Sequence, residues 1–329
     1  MTPSRLRAAV VGAGSVGTIH ARALAEHPDV DLIAICARTP SRAEPLAARL
    51  SVPVVLSVED LLAKERPDLV CICTGNDDHV EPSLLAIRSG AHVFVEKPMA
   101  FRLDDALEMV HASEAHGARL GVDFNHRFAE PYRRALEFVR SDAFGLPAYT
   151  SIKFAGDLYG VLNDPYCMLI ETQGHSFDLL RLFGGEIAEV SAYLTDPRRI
   201  GVYTSAAISL RFESGAVGSL LGSWDSSYDH PAAVTMEVAG TSGRAVIENV
   251  VESVRLHRHD RSDFEEWRPG LFRTEQRDFW RTIDLHLAAF VDSILSGTEP
   301  PVSGRDGLRA LELTYAAIRS FEEGRSVTL

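Results

Sequence analysis

The sequence predicts an α/β domain of repeated βαβ units, followed by an α+β domain built around many strands. Through residues 6–124, short apolar runs alternate with helical stretches, which is the pattern of a parallel sheet. Beyond that point, strand-like runs separated by glycine and proline dominate, as in an antiparallel meander. The predicted boundary near Phe124 gives domains of residues 1–124 and 125–329.

The composition is that of an ordinary globular protein. The chain has 329 residues, which is long for one core, with 46% hydrophobic and 24% charged residues. The net charge of −13 argues against nucleic acid and anionic membranes as partners, because both need a basic face. No apolar run approaches the roughly twenty residues that span a bilayer, and the N-terminus has no room for a signal sequence. We therefore expect a cytoplasmic protein.

A glycine-rich loop follows the first predicted strand, residues 6–11, and precedes a helix over residues 18–27. Its pattern, GxGxxG, suits a dinucleotide in this position: the first glycine allows the tight turn, the second admits the pyrophosphate, and the third lets helix and strand pack closely. The alternative is a turn that binds no nucleotide. The predicted cofactor contacts here are Gly12, Gly14, Ser15, Val16 and Gly17.

The second strand, residues 30–36, is followed by Ala37-Arg38. NAD-specific proteins usually carry an acid about twenty residues past the glycines, where it holds the ribose 2′-hydroxyl. Arg38, with Ser41 and Arg42 close by, would instead stack on adenine and pair with a 2′-phosphate. This favours NADP over NAD as the cofactor. The alternative is that Arg38 simply points to solvent.

Two further strands end in residues that suit a ligand. Residues 69–73 lead into Thr74-Gly75-Asn76, whose small polar groups suit ribose and phosphate, and then to His79, which is otherwise an ordinary first-turn residue of a helix. Residues 91–95 lead into Glu96-Lys97-Pro98. Because proline cannot extend the ladder, Lys97 is placed at the carboxyl edge of the strand, where open parallel sheets bind ligands. There its amine can donate a proton or a hydrogen bond; the alternative is a plain surface lysine.

A helix predicted over residues 170–183 carries a polar stripe. Glu171, His175 and Asp178 are spaced four and three apart, so they share one face of an otherwise apolar helix. A buried polar stripe is costly without partners or a task, and a histidine beside a carboxylate can relay protons near neutral pH. The alternative is a satisfied buried histidine.

The other predicted helices of this half cover residues 132–140, 282–295 and 306–323, and its predicted strands cover residues 148–154, 187–194, 205–212, 216–223, 233–238, 244–248 and 254–257.

The four cysteines are expected to be structural. Cys71 and Cys73 are two apart in a strand, so both suit one core face better than a disulfide or a metal site. We therefore expect no metal. Tyr159, Trp224 and Tyr228 are candidates for stacking on a sugar ring, with packing as the alternative for each.

Taken together, these motifs resemble the glucose–fructose oxidoreductase/inositol dehydrogenase family over essentially the whole chain. The resemblance implies a Rossmann domain, a second domain with a large, open, mostly antiparallel sheet, an NAD(P) cofactor and a sugar or cyclitol substrate. It also implies a homodimer or homotetramer joined through the sheets. Two departures are Gly75, where the family commonly has proline, and Glu171, where many members have aspartate.

By this resemblance, Lys97 contacts both the substrate hydroxyl and the nicotinamide ribose, beside Glu96, and His175 is the catalytic base. Glu171 would orient His175 or bind substrate. Arg127 and Asp178 match positions that touch sugar hydroxyls. Two other functions stay open: a glycosidase that uses bound NAD for transient oxidation, and a dinucleotide-binding sensor without catalysis.

Overall fold

The fold is that of a computed structural model, which describes residues 5–158, 160 and 162–329. It contains two compact units. Unit 1 comprises residues 1–125 with 282–309, and unit 2 comprises residues 126–281 with 310–329. Among the described residues, no helix combines the length and the apolar character needed to cross a membrane.

Unit 1 contains a six-stranded sheet in which every pair is parallel, with the strand order β3-β2-β1-β4-β5-β6. Its strands are β1 Leu6–Val11, β2 Val30–Cys36, β3 Val54–Val55, β4 Leu69–Ile72, β5 His92–Val95 and β6 Leu120–Val122. The intervening helices are α1 Ser15–Glu26, α2 Pro40–Leu50, α3 Val58–Asp60 with a π-helical turn Leu61–Glu65, α4 Val80–Arg88 and α5 Leu103–Ala115. The predicted βαβ alternation is confirmed, and the carboxyl ends of all six strands lie at one edge.

Unit 2 contains a nine-stranded sheet with the order β14-β13-β12-β11-β7-β10-β9-β8-β15. Its strands are β7 Pro147–Ala155, β8 Ile187–Thr195, β9 Ser205–Phe212, β10 Val217–Ser223, β11 Val234–Gly240, β12 Gly243–Glu248, β13 Ser253–Arg258, β14 Phe264–Trp267 and β15 Val327–Thr328. Its helices include α6 Glu130–Val139 and α7 Gly174–Gly184. Seven of these strands lie within two residues of their predicted positions; β14 and β15 were not predicted.

The order of strands in this sheet differs from the predicted meander. β7 pairs with β11 in the antiparallel sense and with β10 in the parallel sense, instead of pairing with β8. The reason is that the chain leaves β7 through the helical segment before β8 and returns at a distance. The sheet is therefore mixed, although its remaining pairs are antiparallel as predicted.

The two faces of this sheet have different surroundings. Helix α7 packs on β7 and β10, and α6 packs on β12 and β13. Strand β9 alternates between buried and exposed positions along its length, as expected of a sheet covered on one face. Apolar side chains are exposed on β8 and β10, including Tyr193, Val217 and Leu221.

The predicted single helix over residues 170–183 is wrong in one respect. Met168–Thr172 forms a π-helical turn, and α7 begins only at Gly174, after Gln173. A π turn closes its hydrogen bonds over one more residue than an α turn does, so Glu171 does not stand one α-helical turn before His175. His175 and Asp178 both lie within α7, three residues apart. The predicted end of this helix at residue 183 is confirmed to within one residue, because α7 ends at Gly184 and Gly185 has a φ of 87°.

Helix α8, Arg281–Ser296, belongs to unit 1 from Thr282 onward, as does the start of α9, Gly304–Glu323. The predicted domains were continuous segments and did not include this return. The physical reason lies in the apolar face of α8, because Phe290 packs on Phe94 of β5 with ring centroids 5.1 Å apart. A Cβ on Gly121 would lie 2.6 Å from the Phe290 ring, so only glycine fits this close approach of strand and helix.

Candidate active site

The glycine loop of unit 1 has the geometry expected of a dinucleotide cradle. Gly12 has a φ of 106°, and a Cβ there would lie 2.2 Å from the Cys73 carbonyl oxygen. A Cβ on Gly17 would lie 2.1 Å from the Gly12 carbonyl oxygen, so α1 packs closely against the turn. A Cβ on Gly14 would meet nothing within 4 Å among the described residues. That open space at the start of α1 is where a pyrophosphate could approach the backbone.

The side chains predicted to surround the adenosine half of the cofactor are placed differently. Arg38 is largely exposed, and its guanidinium donates to the Asp78 carboxylate at 2.6 Å. Ser41 and Arg42 lie exposed in the first turn of α2. Thr74 donates its hydroxyl to the Asp78 carbonyl at 2.8 Å, so it closes its own turn, which also contains Gly75 and Asn76. A 2′-phosphate at Arg38 would have to compete with Asp78.

His79 is buried, and its contacts connect two loops at the edge of the sheet. Its Nδ1 donates to the Pro98 carbonyl at 2.7 Å, and burial lowers the pKa of its imidazole. His79, the N-cap residue of α4, thus binds the segment after β5 through a neutral imidazole ring. The prediction of His79 as a direct cofactor contact stays a prediction.

Lys97 lies where the sequence predicts it, two residues after the end of β5. Its side chain is half-buried, and the peptide bond to Pro98 is cis. The charge of Lys97 is one of the influences that lower the pKa of Glu96. An ammonium group therefore stands at the carboxyl edge of the parallel sheet, on the same edge as the glycine loop.

Behind Glu96, unit 1 contains a buried network of imidazoles and carboxylates that the sequence analysis missed. His20 Nε2 lies 2.8 Å from Glu96 Oε1 and 3.6 Å from Asp123 Oδ2. His286 Nδ1 lies 2.8 Å from the other oxygen of Asp123. These four residues come from α1, the ends of β5 and β6, and α8. The one signal in the sequence was His20, a histidine on the buried face of α1.

The protonation of this network follows from burial and from Glu96. Burial by itself lowers the pKa of His20, but the Cys73 thiol and Glu96 raise it well above the usual value. Burial also raises the pKa of Cys73 to about 12, so the charge that stabilises the imidazolium near neutral pH is that of Glu96. Burial, followed by the charge of Glu96, raises the pKa of Asp123 well above its ordinary value. Glu96 remains the ionised member, because His20 and Lys97 outweigh its burial and lower its pKa.

The ligand atoms of His20, Glu96 and Asp123 all lie within 4.8 Å of one another, a spacing that a metal ion could use. Glu96 and Asp123 already pair with His20 and His286 within the network, and we assign no metal to these groups. The four cysteines are buried free thiols, as expected of structural residues.

In unit 2, three predicted site residues lie in α7 or in the π-helical turn before it, and the side chains of all three are buried. Glu171 is 1% exposed, His175 5% and Asp178 0%. A Cβ on Gly160 would lie 2.2 Å from Glu171 Oε2, so the loop after β7 covers this carboxylate. Arg127 Nε donates to Asp178 Oδ2 at 2.7 Å, and a terminal nitrogen reaches the other oxygen. These two predicted substrate contacts are thus bound to each other.

The aromatic residues predicted as candidates for stacking on a sugar ring differ in burial. Trp224 is fully buried, and its Nε1 donates to the Thr172 hydroxyl at 2.9 Å, so it is a core residue. Tyr228 is 47% exposed and lies over Gly156, where it stays a candidate. Tyr159 lies outside the described residues.

The sequence matches two profiles of one family. Residues 6–124 match the oxidoreductase family with an NAD-binding Rossmann fold, and residues 132–246 match the GFO/IDH/MocA C-terminal domain. The chain belongs to the GFO/IDH/MocA oxidoreductase family. The resemblance stated from the motifs is thereby confirmed, together with the predicted Rossmann fold and the second, mostly antiparallel sheet.

Several members of this family resemble the chain over nearly its whole length. The myo-inositol 2-dehydrogenase of Thermotoga maritima is 30% identical over 334 residues, covering 98% of both chains. The inositol 2-dehydrogenase of Rhizobium meliloti is 28% identical and covers 98% of this chain and 99% of its own. The crystal structure of a probable dehydrogenase from Thermotoga maritima, 30% identical, superimposes with a TM-score of 0.84 and covers 98% of both chains. The prediction of an NAD(P)-dependent oxidoreductase acting on a CH–OH group is confirmed by the family and these relatives.

Proposed function

We propose that this GFO/IDH/MocA protein oxidises, reversibly, a secondary hydroxyl group of a cyclitol or a pyranose sugar. The observation that carries the proposal is the shared edge in unit 1, where the glycine loop follows β1 and Lys97 follows β5, with only β4 between these two strands of the parallel sheet. Relatives with inositol as the named substrate support the cyclitol class.

The proposed roles divide between the two units. Lys97 stabilises the negative charge that develops on the substrate oxygen, which is where a fixed cation contributes most. His175 accepts the hydroxyl proton, and Glu171 orients His175 or binds a neighbouring hydroxyl. The bound nicotinamide supplies the hydride chemistry.

The internal pairing of Arg127 and Asp178 changes how we propose that they act. Each was predicted to touch sugar hydroxyls, but a buried carboxylate bound at both oxygens has little capacity left for a ligand. We propose that the pair fixes α7 and thereby the position of His175, and that the Arg127 guanidinium is the member of the pair that contacts substrate.

The residues around the glycine loop fit an NAD(P) cofactor, and we propose that NADP is favoured. Arg38 supports this proposal, since an exposed guanidinium after β2 stands where NAD-specific proteins place an acid. Gly12, Gly14, Ser15, Val16 and Gly17 would hold the pyrophosphate. The remaining proposed cofactor contacts are Ser41, Arg42, Thr74, Gly75, Asn76, His79, Glu96 and Lys97.

The test is a spectrophotometric screen of inositols, pyranoses and simple glycosides, with NAD and NADP in parallel. Net reduction of the cofactor by a cyclitol or sugar is the expected result. Release of free sugar from a glycoside without net cofactor reduction would identify a glycosidase instead. Tight dinucleotide binding with no reduction by any polyol would favour a sensor. Size measurement by light scattering in the same samples tests the proposed homodimer or homotetramer.

A further inference from the structure

Two histidine rings in unit 2 lie face to face. His126 lies in the 3-10 turn over residues 125–128, and His175 lies in the first turn of α7. Their ring centroids are 4.1 Å apart and their planes differ by 4°. Both residues are buried, with 2% and 5% exposed. The sequence motifs indicate a role for His175 and none for His126.

The ring of His126 is itself held by other aromatic rings. Phe279 meets it edge-on, with centroids 5.6 Å apart and planes at 85°. Tyr132 lies nearly parallel to it at 6.3 Å, and Phe154 lies 5.7 Å away. Turning the imidazole of His126 would break several of these contacts at once, so it presents a fixed flat surface to His175.

Arg127, the residue after His126, binds helix α7 at a second point. Arg127 binds both carboxylate oxygens of Asp178, which follows His175 by three residues in α7. The salt bridge is buried on the Asp178 side and 14% exposed on the Arg127 side. Adjacent residues of one short turn thus bind the first two turns of α7, through a ring stack at His175 and a bidentate salt bridge at Asp178.

We propose that His126 is a positioning residue for His175: its ring fixes the plane of the proposed catalytic base, and its ability to carry a proton opposes protonation of that base. The proposal rests on the proposed function, in which His175 is the base. Two imidazolium rings at this separation repel each other, so the stacked pair accepts one proton readily and a second one only at lower pH.

The other charged groups around the pair do not replace this effect. Asp178 is on the same helix, and the guanidinium of Arg127 faces it and balances its charge. Tyr132 stays neutral, because burial raises the pKa of its hydroxyl. Glu171, in the π-helical turn before α7, is a further buried acid, and it is present in every variant below. A change in the titration of His175 on replacing His126 therefore reports on the stack.

The decisive variants are His126→Phe, which keeps a flat ring without a titratable group, and His126→Ala, which removes the ring. We expect His126→Ala to lower kcat by about 10- to 100-fold, since misplacement of a catalytic group by about 1 Å costs that much. We expect His126→Phe to restore most of kcat. Dinucleotide affinity should stay within about twofold in both, because the glycine loop is untouched. His111→Phe, at an exposed histidine of α5, is the matched control.

The second readout does not depend on turnover. In protein labelled with ¹³C at histidine, the ring signal of His175, assigned by its loss in His175→Asn, is followed by NMR through a pH titration. In His126→Phe the like charge is gone, so the midpoint for His175 should move to higher pH, by about half a unit or more. The acid limb of kcat/KM should move the same way, because the base must be unprotonated to act.

The two proposals fail separately. Superimposable titrations of His175 in the parent and His126→Phe, or parental kcat in His126→Ala, would overturn the role of His126. Normal turnover in His175→Asn would overturn the assignment of the base, whatever the NMR titration shows. If His126→Ala does not fold, His126→Phe alone decides, because its titration is sufficient to confirm or overturn the coupling.

Discussion

At the scale of single residues, the charge on Glu96 has the widest consequences. Its carboxylate is ionised although it is largely surrounded by protein, because His20 donates to it and Lys97 lies beside it in sequence and in space. A buried charge is tolerated only when it is paired in this way. The pairing thus places a fixed negative charge beside Lys97 at the end of β5.

Replacing Lys97 by methionine tests its proposed role directly. Methionine keeps the length of the side chain but removes the cation, so we expect kcat to fall by about 10²- to 10³-fold or more, the cost of losing a group that stabilises a developing oxyanion. Dinucleotide binding, measured by fluorescence quenching, should persist. Lys64→Met, at an exposed lysine, is the control. Near-parental kcat in Lys97→Met would rule out the role.

The network behind Glu96 predicts how stability depends on pH. The pKa of Asp123 is raised in the folded state, so the stability that its proton contributes is present below the ordinary value near 3.8 and is lost as the pH rises towards the folded value. His20 contributes in the same direction, with its loss beginning above about 6.5. The part of the unfolding free energy that comes from Asp123 and His20 should therefore fall as the pH rises from 5 to 9.

Asp123→Asn isolates one part of this dependence. Asparagine can still accept from His286 but never ionises, so its melting temperature should fall less steeply with pH, and its advantage over the parent should grow towards pH 9. Each tenfold difference in proton affinity corresponds to about 1.4 kcal/mol of unfolding free energy. Asp104→Asn, at an exposed carboxylate, should run parallel to the parent. Parallel curves for Asp123→Asn as well would contradict the protonated state.

Arg38 provides the test of cofactor choice. Arg38→Ala should raise the KM for NADP by about tenfold while changing the KM for NAD much less, because only NADP carries the phosphate that the guanidinium would pair with. Arg49→Ala, at an exposed position of α2, the helix that follows Arg38, is the control. Equal effects of Arg38→Ala on both cofactors would argue that Asp78 is its functional partner.

At the scale of elements, the ends of strands and helices determine where chemistry is placed. β1, β4 and β5 finish at the same edge of the parallel sheet, so loops far apart in sequence become neighbours. In unit 2, α7 begins after a π-helical turn and is held from one side by a short 3-10 turn. The proposed functional residues of both units thus lie at the starts or ends of helices and strands, where loops are positioned by a rigid scaffold.

Two glycines of the same loop should behave differently when a methyl group is added. Gly17→Ala places a Cβ against the Gly12 carbonyl, so we expect a loss of about 1–3 kcal/mol in unfolding free energy from overpacking. Gly14→Ala meets open space and should fold normally. In the second variant the methyl group would instead occupy the room for the pyrophosphate, and dinucleotide affinity should fall about tenfold or more. Chemical denaturation and dinucleotide titration of both variants separate the effects; normal affinity in Gly14→Ala would contradict the cradle.

At the scale of the whole molecule, the open face of the nine-stranded sheet is the surface that bears on assembly. Tyr193 of β8 lies opposite Ala207 of β9, which lies opposite Leu221 of β10. Tyr193 is 76% exposed and Leu221 48%. Exposed apolar side chains in a row across a broad sheet suit burial against a second copy of the chain.

Leu221→Lys should therefore shift the protein towards monomers. A lysine in the middle of a buried sheet face leaves an unpaired charge, so the oligomer should dissociate at micromolar concentration, as measured by light scattering after gel filtration. Leu56→Lys, at an exposed leucine of unit 1, should leave the mass unchanged. An oligomer of unchanged mass in Leu221→Lys would place the interface elsewhere.

The positions of most strands and helices, and of the loops at the parallel sheet's edge, could be predicted from local sequence. The alternation of apolar runs and helices predicted the parallel sheet. The GxGxxG loop and the proline after Lys97 predicted the edge of the sheet at which the loop and the lysine lie. Both predictions succeed because hydrophobic periodicity and turn preferences depend on only a few neighbouring residues. The strands of the second sheet were located for the same reason. Their order was not, because pairing between β7 and β10 depends on where a long connection returns.

Only the tertiary structure brought together the groups that decide protonation and placement. His20, Glu96, Asp123 and His286 are spread over most of the chain, and His126 meets His175 across 49 positions of sequence. Glu96 and His175 stand out in the sequence, but nothing in the local patterns marks any of these residues as partners of one another. Their chemistry comes from burial, which makes a charge costly when it is alone and valuable when it is paired, and burial is a property of the folded chain.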